Sequence, residues 1–214
     1  MSDQARADVA ATAARLVAQG LVVGTAGNVS ARRGHLVAIT PSGLDYSQLT
    51  PADVGLHNLD GDPVDAPFAP SSELPLHLAV YAATEAGAIV HTHSPAATAL
   101  SLLVDAVPPV HYYAAMFGGP ILVAPYHPFG TRELGEAAAA ALTGSKGALL
   151  KHHGAVTIGA DLAEALELAI VLEWLCDVYL RAAAAGTPAV LGPAELERAA
   201  AALAAYQSAR PRRA

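Results

Sequence analysis

Two histidines, His91 and His93, stand one residue apart at the end of the apolar run Ala88-Ile89-Val90. Alternate residues of a strand share a face about 7 Å apart, so both imidazoles can project to one side. At that spacing they can share a metal ion; equally, two histidines at a strand end can be satisfied by ordinary polar partners. The strand end is followed by a helix-opening Ser94-Pro95, and open sheets place their active sites at such ends. A catalytic zinc site commonly takes three protein ligands and keeps one position open. His153 is the candidate third ligand. It lies in Leu149-Leu150-Lys151-His152-His153-Gly154, where a strand breaks at a glycine and the backbone can come close to a site. Strand alternation turns His152 the other way. The five remaining histidines, His35, His57, His77, His111 and His127, are expected to make surface or core hydrogen bonds.

Glu73, in Pro70-Ser71-Ser72-Glu73-Leu74-Pro75, is the candidate carboxylate. It falls in the first turn of an expected helix, where the dipole favours an anion; ordinary N-terminal helix electrostatics would account for it as well. The same helix start offers Ser71 and Ser72 hydroxyls with free backbone amides, a phosphate cradle that needs no lysine or arginine. Lys146 and Lys151 are the only lysines. Lys146 sits in an exposed Gly-Ser-Lys-Gly turn, a poor setting for the depressed amine pKa that Schiff-base chemistry needs.

The elements that must hold these groups follow from periodicity and punctuation. A helix is expected over 3–19, stopped by Gly20, then a hairpin from Val29 to Thr40 turning at Arg33-Gly34. Residues 41–70 read as loops with short strands. A helix opens at Ser71-Ser72 and runs to about Glu85, with Pro75 tolerated in its first turn. A buried strand covers 88–93, and a helix runs from Ser94-Pro95 towards Leu103. Strands are expected at 110–113 and 121–124, a helix from Thr131 to Leu142, and two strand halves at 148–151 and 155–158. Asp161 caps a long helix to about Ala185, with Glu164 in the capping-box position. Glu173, Asp177 and Arg181 form one polar stripe on it, while Trp174 and Cys176 read as packing residues. A last helix spans 194–207. This order predicts an α/β fold, a mixed or partly antiparallel sheet covered by helices on both faces. One domain is expected over 1–209, with 210–214 as a flexible tail.

Composition narrows the function classes. Twelve basic against nineteen acidic residues leave a net charge of −7, which argues against a nucleic-acid partner. Arg210, Arg212 and Arg213 cluster only in the tail. Apolar residues make up 53% of the chain, yet no run approaches the roughly 20 needed to span a bilayer, so no membrane partner is expected. The first residues lack the apolar core of a signal peptide. One cysteine allows no intrachain disulfide and fits a reducing, cytoplasmic setting.

Five segments then come in a telling order: Gly24-Thr25-Ala26-Gly27-Asn28-Val29-Ser30, Thr40-Pro41-Ser42-Gly43, Ser71-Ser72-Glu73, His91-Thr92-His93 and His153-Gly154. In order and approximate spacing the chain resembles the class II aldolase/adducin superfamily over nearly its whole length, most of all its L-fuculose-1-phosphate aldolase branch. The resemblance implies a three-layer α/β/α domain in a cyclic homotetramer with active sites at subunit interfaces. It implies one Zn2+ per subunit on His91, His93 and His153, or another divalent transition metal, with Glu73 first a ligand and then a base. It implies a phosphate pocket of Gly27, Asn28, Ser42, Gly43, Ser71 and Ser72, and Tyr113 from a neighbouring subunit as proton donor. The implied reaction joins dihydroxyacetone phosphate and a small aldehyde into a ketose 1-phosphate, or the reverse, through a metal-stabilised enediolate.

Two positions depart from the pattern: His152 where asparagine is frequent, and Ser42 where threonine is. Lys151 is expected on the face of His153, where it would bear on substrate choice. Tyr206, in the variable C-terminal segment, is not taken as a site residue. Within the superfamily a sugar-phosphate 4-epimerase, a sugar-acid-phosphate decarboxylase or a methylthioribulose-phosphate dehydratase shares the ligand set. From other classes, a non-catalytic adducin-like interaction module would lack the metal, and a cupin would lack the long helices.

Overall fold

The computed structural model describes residues 2–209; the expected tail at 210–214 lies outside them. The strands are β1 (Asn28–Arg33), β2 (Leu36–Ile39), β3 (Gly55–Asn58), β4 (Pro63–Asp65), β5 (Ala88–Thr92), β6 (Val123–Ala124), β7 (Gly147–Leu150) and β8 (Gly154–Gly159). The helices are α1 (Ser2–Ala18), α2 (Leu74–Ala83), α3 (Pro95–Ser101), α4 (Arg132–Ala141), α5 (Leu162–Ala185) and α6 (Pro193–Ala209). One sheet runs β4-β3-β2-β1-β5-β8-β7-β6. Its pairings are antiparallel except that of β6 with β7, which is parallel. The mixed sheet expected from the hairpin is therefore present.

The period of two along each strand sorts side chains into two apolar layers. On β5, Ala88 and Val90 pack with α1 and α5, whereas Ile89 packs with α2 and α4. Burial on both faces explains why this strand reads as an unbroken apolar run. Farther along the α5 side, α3 joins Leu149, Ala155 and Phe117. The result is a three-layer α/β/α arrangement with β5 at its centre. His91 follows Ile89 onto the α2 face, so the start of α2 looks directly at it. Among the described residues no helix is long and apolar enough to cross a membrane.

Several elements differ from expectation for local reasons. The apolar stretch at 110–113 forms no strand; a 3-10 helix runs from Tyr112 to Phe117 instead. Its backbone bonds stay local: Val110 N–H donates to Pro108 O, and Tyr113 N–H donates to the His111 ring. Helix α2 begins at Leu74, with Glu73 as the residue before it rather than inside its first turn. The Ser71 Oγ accepts from Glu73 N–H at 3.2 Å, and Leu74 N–H donates to Ser71 O, so a turn precedes the helix.

The α5 cap forms as expected, Asp161 accepting from Glu164 N–H, although the Glu164 carboxylate reaches Ala160 N–H one residue ahead of the cap. The polar stripe on α5 divides. Glu173 accepts from Ala96 and Ala97 N–H at 2.8 Å each and so caps α3 across the fold, while Asp177 pairs with Arg181 on the surface. Cys176 is buried, but Trp174 is 41% exposed and lies edge-on to His111.

Candidate metal centre and substrate cleft

Three imidazoles and one carboxylate meet at the C-terminal end of β5. His91 Nε2 lies 3.0 Å from His93 Nε2, which lies 3.1 Å from His153 Nε2. Glu73 Oε2 is 2.9 Å from His91 Nε2, and Oε1 is 3.4 Å from His153 Nε2. Ligand atoms of all four residues fall within 4.8 Å of one another. The sheet makes this possible. Thr92 pairs with Ala155 across β5 and β8, so His93, one step beyond that pair, comes beside Gly154, and His153 on the turn just before it brings its ring to that of His93.

The set passes a simple test of fit. Tetrahedral zinc with nitrogens at 2.0–2.1 Å needs those nitrogens about 3.3 Å apart. The two imidazole contacts above lie within a few tenths of an ångström of that value. His91 Nδ1 is 2.9 Å from Ala155 O, which places its proton on Nδ1 and leaves the Nε2 lone pair facing the centre. Glu73 Oε1 is buried without a hydrogen-bond partner, the condition of a group that awaits a cation. A divalent metal fits here.

The electrostatics agree with the geometry. Burial opposes ionisation of Glu73, but His91 beside it, then His153 and the Asn28 amide, hold the carboxyl well below the usual range. Burial would lower His91, yet the Glu73 carboxylate outweighs it and raises the imidazole. Burial and the charge of His91 push His93 down to about 4, and His153 likewise to about 4. His93 and His153 are thus held neutral, with ring nitrogens available as ligands.

The predicted phosphate residues line one cleft of about 320 Å3 with Glu73, His93 and His153 at its head. Gly27, Ser42, Gly43, Ser71 and Ser72 all border it. Gly27 is required by its backbone: φ is +78°, and a Cβ would stand 2.9 Å from the His91 carbonyl oxygen. Ser42, Gly43 and Ser72 are exposed to the cleft. The Ser71 oxygen is engaged at the helix start, and its proton remains to be donated.

With this geometry in view, comparison with known proteins is decisive. Residues 7–180 match the family described as Class II Aldolase and Adducin N-terminal domain. The chain belongs to this family. It is 36% identical over 195 residues to 5-deoxy-D-ribulose 1-phosphate aldolase of Bacillus thuringiensis, covering 90% of this chain and 92% of the relative. It is 41% identical over 181 residues to the 5-methylthioribulose-1-phosphate/5-deoxyribulose-1-phosphate aldolase of Rhodospirillum rubrum, covering 84% and 81%. A solved L-fuculose 1-phosphate aldolase superposes with a TM-score of 0.90 at 32% identity, over 94% of this chain and 96% of the other. The protein is an enzyme of the class II aldolase type, with a site built for a divalent metal.

Tyr113 does not line this cleft; it lies in a groove with Tyr112, Arg198, Leu203 and Tyr206, beside His111 and Trp174. Lys151 sits elsewhere than expected, drawn away from His153: its ammonium donates to Val104 O at 3.3 Å and pairs with Asp105 at 3.5 Å. The chain turns between β7 and β8 there, so strand alternation no longer applies. His152 explains its own departure. It is the sole described non-glycine residue with positive φ, 58°, a conformation asparagine adopts more readily than most residues.

Other site residues escaped sequence reasoning. Tyr46 Oη donates to Gly27 O at 2.6 Å, and Thr40 Oγ1 accepts from Val29 N–H, so both hold the Gly27-Asn28 corner. Phe129, 73% exposed, forms part of the cleft wall. The Asn28 side chain is committed inwards, its Nδ2 donating to Glu73 Oε2 at 2.9 Å and its Oδ1 facing His77. A readable signal existed. Glu73, His77 and Tyr81 recur at four-residue spacing, the interval of one helix face, and Asn28 and Ser30 at the two-residue spacing of one strand face.

Proposed function

We propose that this chain is a zinc-dependent aldolase that cleaves and forms ketose 1-phosphates, with dihydroxyacetone phosphate and a small aldehyde as the three-carbon and aldehyde partners. One observation carries the reading. A centre of three imidazole nitrogens and a carboxylate stands at the head of a cleft whose remainder is built from hydroxyls, glycine backbone and a helix start. His91, His93 and His153 would hold the zinc ion, which would supply a Lewis acid for the substrate ketone. Neutral imidazoles suit that task because they leave the ion its full charge. The names of the relatives support phosphorylated deoxy-sugars of the 5-deoxyribulose and fuculose type as substrates.

The chain's own residues divide the remaining work. Ser71, Ser72, Ser42 and the backbone around Gly27 and Gly43 hold the phosphate dianion, and Asn28 serves that pocket through its backbone. Binding at this remote point fixes the reacting carbons before the bond changes. In the synthetic direction the ionised Glu73 takes the proton from the dihydroxyacetone phosphate carbon that will form the new bond. The electron pair of that C–H bond becomes the attacking pair, and the aldehyde oxygen, left with the charge, takes a proton from the Tyr113 phenol. Because Tyr113 lies outside its own cleft, it serves the site of an adjacent subunit in a homotetramer. Residues 1–209 form one catalytic domain, and the free, buried Cys176 accords with a cytoplasmic setting.

The test is release of dihydroxyacetone phosphate from 5-deoxyribulose 1-phosphate and L-fuculose 1-phosphate, read by a coupled dehydrogenase. Chelation should abolish it and zinc restore it. Ser71→Ala/Ser72→Ala should raise KM far more than it lowers kcat. Metal-dependent epimerisation or loss of carbon dioxide, with no three-carbon product, would overturn the proposal.

A further inference from the structure

The apolar layer beneath α2 contains a polar line with no part in the reaction as derived above. Ser30, His77 and Tyr81 are buried there among Val37, Ile39, Leu76, Val80 and Ile89. Three leucine-sized side chains would fill the same space without desolvating any polar atom, so burying a serine, a histidine and a tyrosine there is costly unless each is bonded. Each one is. Tyr81 Oη lies 2.8 Å from Ser30 Oγ, Ser30 Oγ lies 2.6 Å from His77 Nδ1, and His77 Nε2 meets Asn28 Oδ1. Asn28 Nδ2 then donates to Glu73 Oε2 at 2.9 Å. The line ends on the carboxylate that the proposed reaction uses.

Hydrogen-bond direction along this line has one self-consistent solution. An ionised carboxylate only accepts, so Asn28 turns its NH2 to Glu73 and its oxygen to His77. His77 must then carry its proton on Nε2 and accept at Nδ1. The Ser30 hydroxyl donates to Nδ1 and accepts from the Tyr81 phenol, which burial keeps protonated. Burial likewise holds His77 neutral, pushed down to about 3. In the opposite tautomer Nε2 would accept, the Asn28 amide would have to flip, and two oxygens would confront each other where the 2.9 Å donor bond now stands.

We propose that Ser30 and His77 are positioning residues that lock the Asn28 amide with its N–H towards Glu73, with Tyr81 serving only to satisfy the Ser30 oxygen. The inference rests on the reading of Glu73 as the proton-transferring carboxylate of the metal centre. It removes the Asn28 side chain from the phosphate pocket and gives it a different task, holding Glu73 ionised and oriented while the imidazoles face the metal.

The deciding measurement is long-range 1H–15N correlation of the histidine rings in uniformly labelled protein, metal-free and zinc-loaded, between about pH 6 and 8. His77 is expected as the Nε2–H tautomer in both forms; an Nδ1–H ring or an imidazolium overturns the proposal. Kinetics give a second arm. Ser30→Ala, which frees Nδ1, should lower kcat about tenfold with KM and bound zinc unchanged, whereas Tyr81→Phe, which leaves the Ser30–His77 bond in place, should change kcat about twofold at most. A purely structural role would lower the melting temperature of both variants and leave kcat intact, and that result also sinks the proposal. If the protein proves not to be an aldolase, the ring tautomer still decides the hydrogen-bond direction, so the two readings fail separately.

Discussion

Replacing Gly154 by alanine tests how the metal centre is held, because this glycine touches none of the ligand atoms and yet sets the approach of two strands. A Cβ built there would stand 2.0 Å from the Thr92 carbonyl oxygen and 3.3 Å from His93 Cα. Ordinary carbon–oxygen contact is more than 1 Å longer, and the obstacle is backbone, which cannot rotate aside as a side chain can. The ends of β5 and β8 must therefore part by about 1 Å, and overpacking of this kind costs about 3 kcal/mol. In a chain of this size that lowers Tm by roughly 6–12 °C. The same displacement separates His93 from His153, whose nitrogens are now 3.1 Å apart, while metal bonds tolerate errors of only about 0.2 Å. Zinc affinity, measured by competition with a chromogenic chelator, should fall at least about 100-fold, and aldolase activity with it. Gly186→Ala is the control: no atom lies within 4 Å of its added Cβ, and its φ of 163° is extended backbone open to any residue. If Gly154→Ala melts and binds zinc like the parent chain, the close strand approach is not what builds the centre.

Three further outcomes follow from the same coordinates. Glu73→Gln keeps the shape and the three imidazoles but removes the proton acceptor, so kcat should drop about 10²- to 10⁴-fold with zinc content retained; activity within tenfold of the parent would remove Glu73 from the proton transfer. His77 is held neutral down to about 3 in the fold, whereas the unfolded chain takes that proton near pH 6.5. Between those values the unfolded state binds more protons, so stability declines as pH falls below about 6, by about 1.4 kcal/mol per unit from this residue. Urea midpoints of zinc-free protein should therefore vary less steeply with pH in His77→Gln than in the parent, and parallel slopes would contradict the burial argument. His152→Asn should raise Tm slightly, by up to about 1 kcal/mol of stability, because asparagine tolerates the left-handed backbone better; a lower Tm would show that the ring's edge-on contact with Tyr126 outweighs the backbone preference.

Much of the fold was readable because its signals are local. The unbroken apolar run at 88–90, the glycine turn of the first hairpin and the Asp161 cap each state their element within a few residues, and each formed, although the hairpin turns at Gly34-His35, one residue later than expected, with Arg33 paired to Leu36. The stretch at 110–113 misled because an apolar run becomes a strand only beside a free strand edge, and none is offered there. Lys151 misled because alternation was carried through a turn. The start of α2 shifted because Ser71 closes a turn of its own before Glu73, which no helix propensity registers.

For the site, the residue types and their periods named His91, His93, Glu73 and the serines before any fold was known, since a strand's period of two and a helix start are short-range properties. Bringing His153 to within 3.1 Å of His93, sixty residues earlier, required the β5–β8 register. A long-range pairing of that kind leaves no mark in either segment alone. The inward commitment of Asn28, and the line of His77, Ser30 and Tyr81 behind it, depends on β1 lying beside β5 under α2. Tertiary packing alone brings a strand's two-residue interval against a helix's four-residue interval, and it is this match that turned separate polar residues into one connected unit.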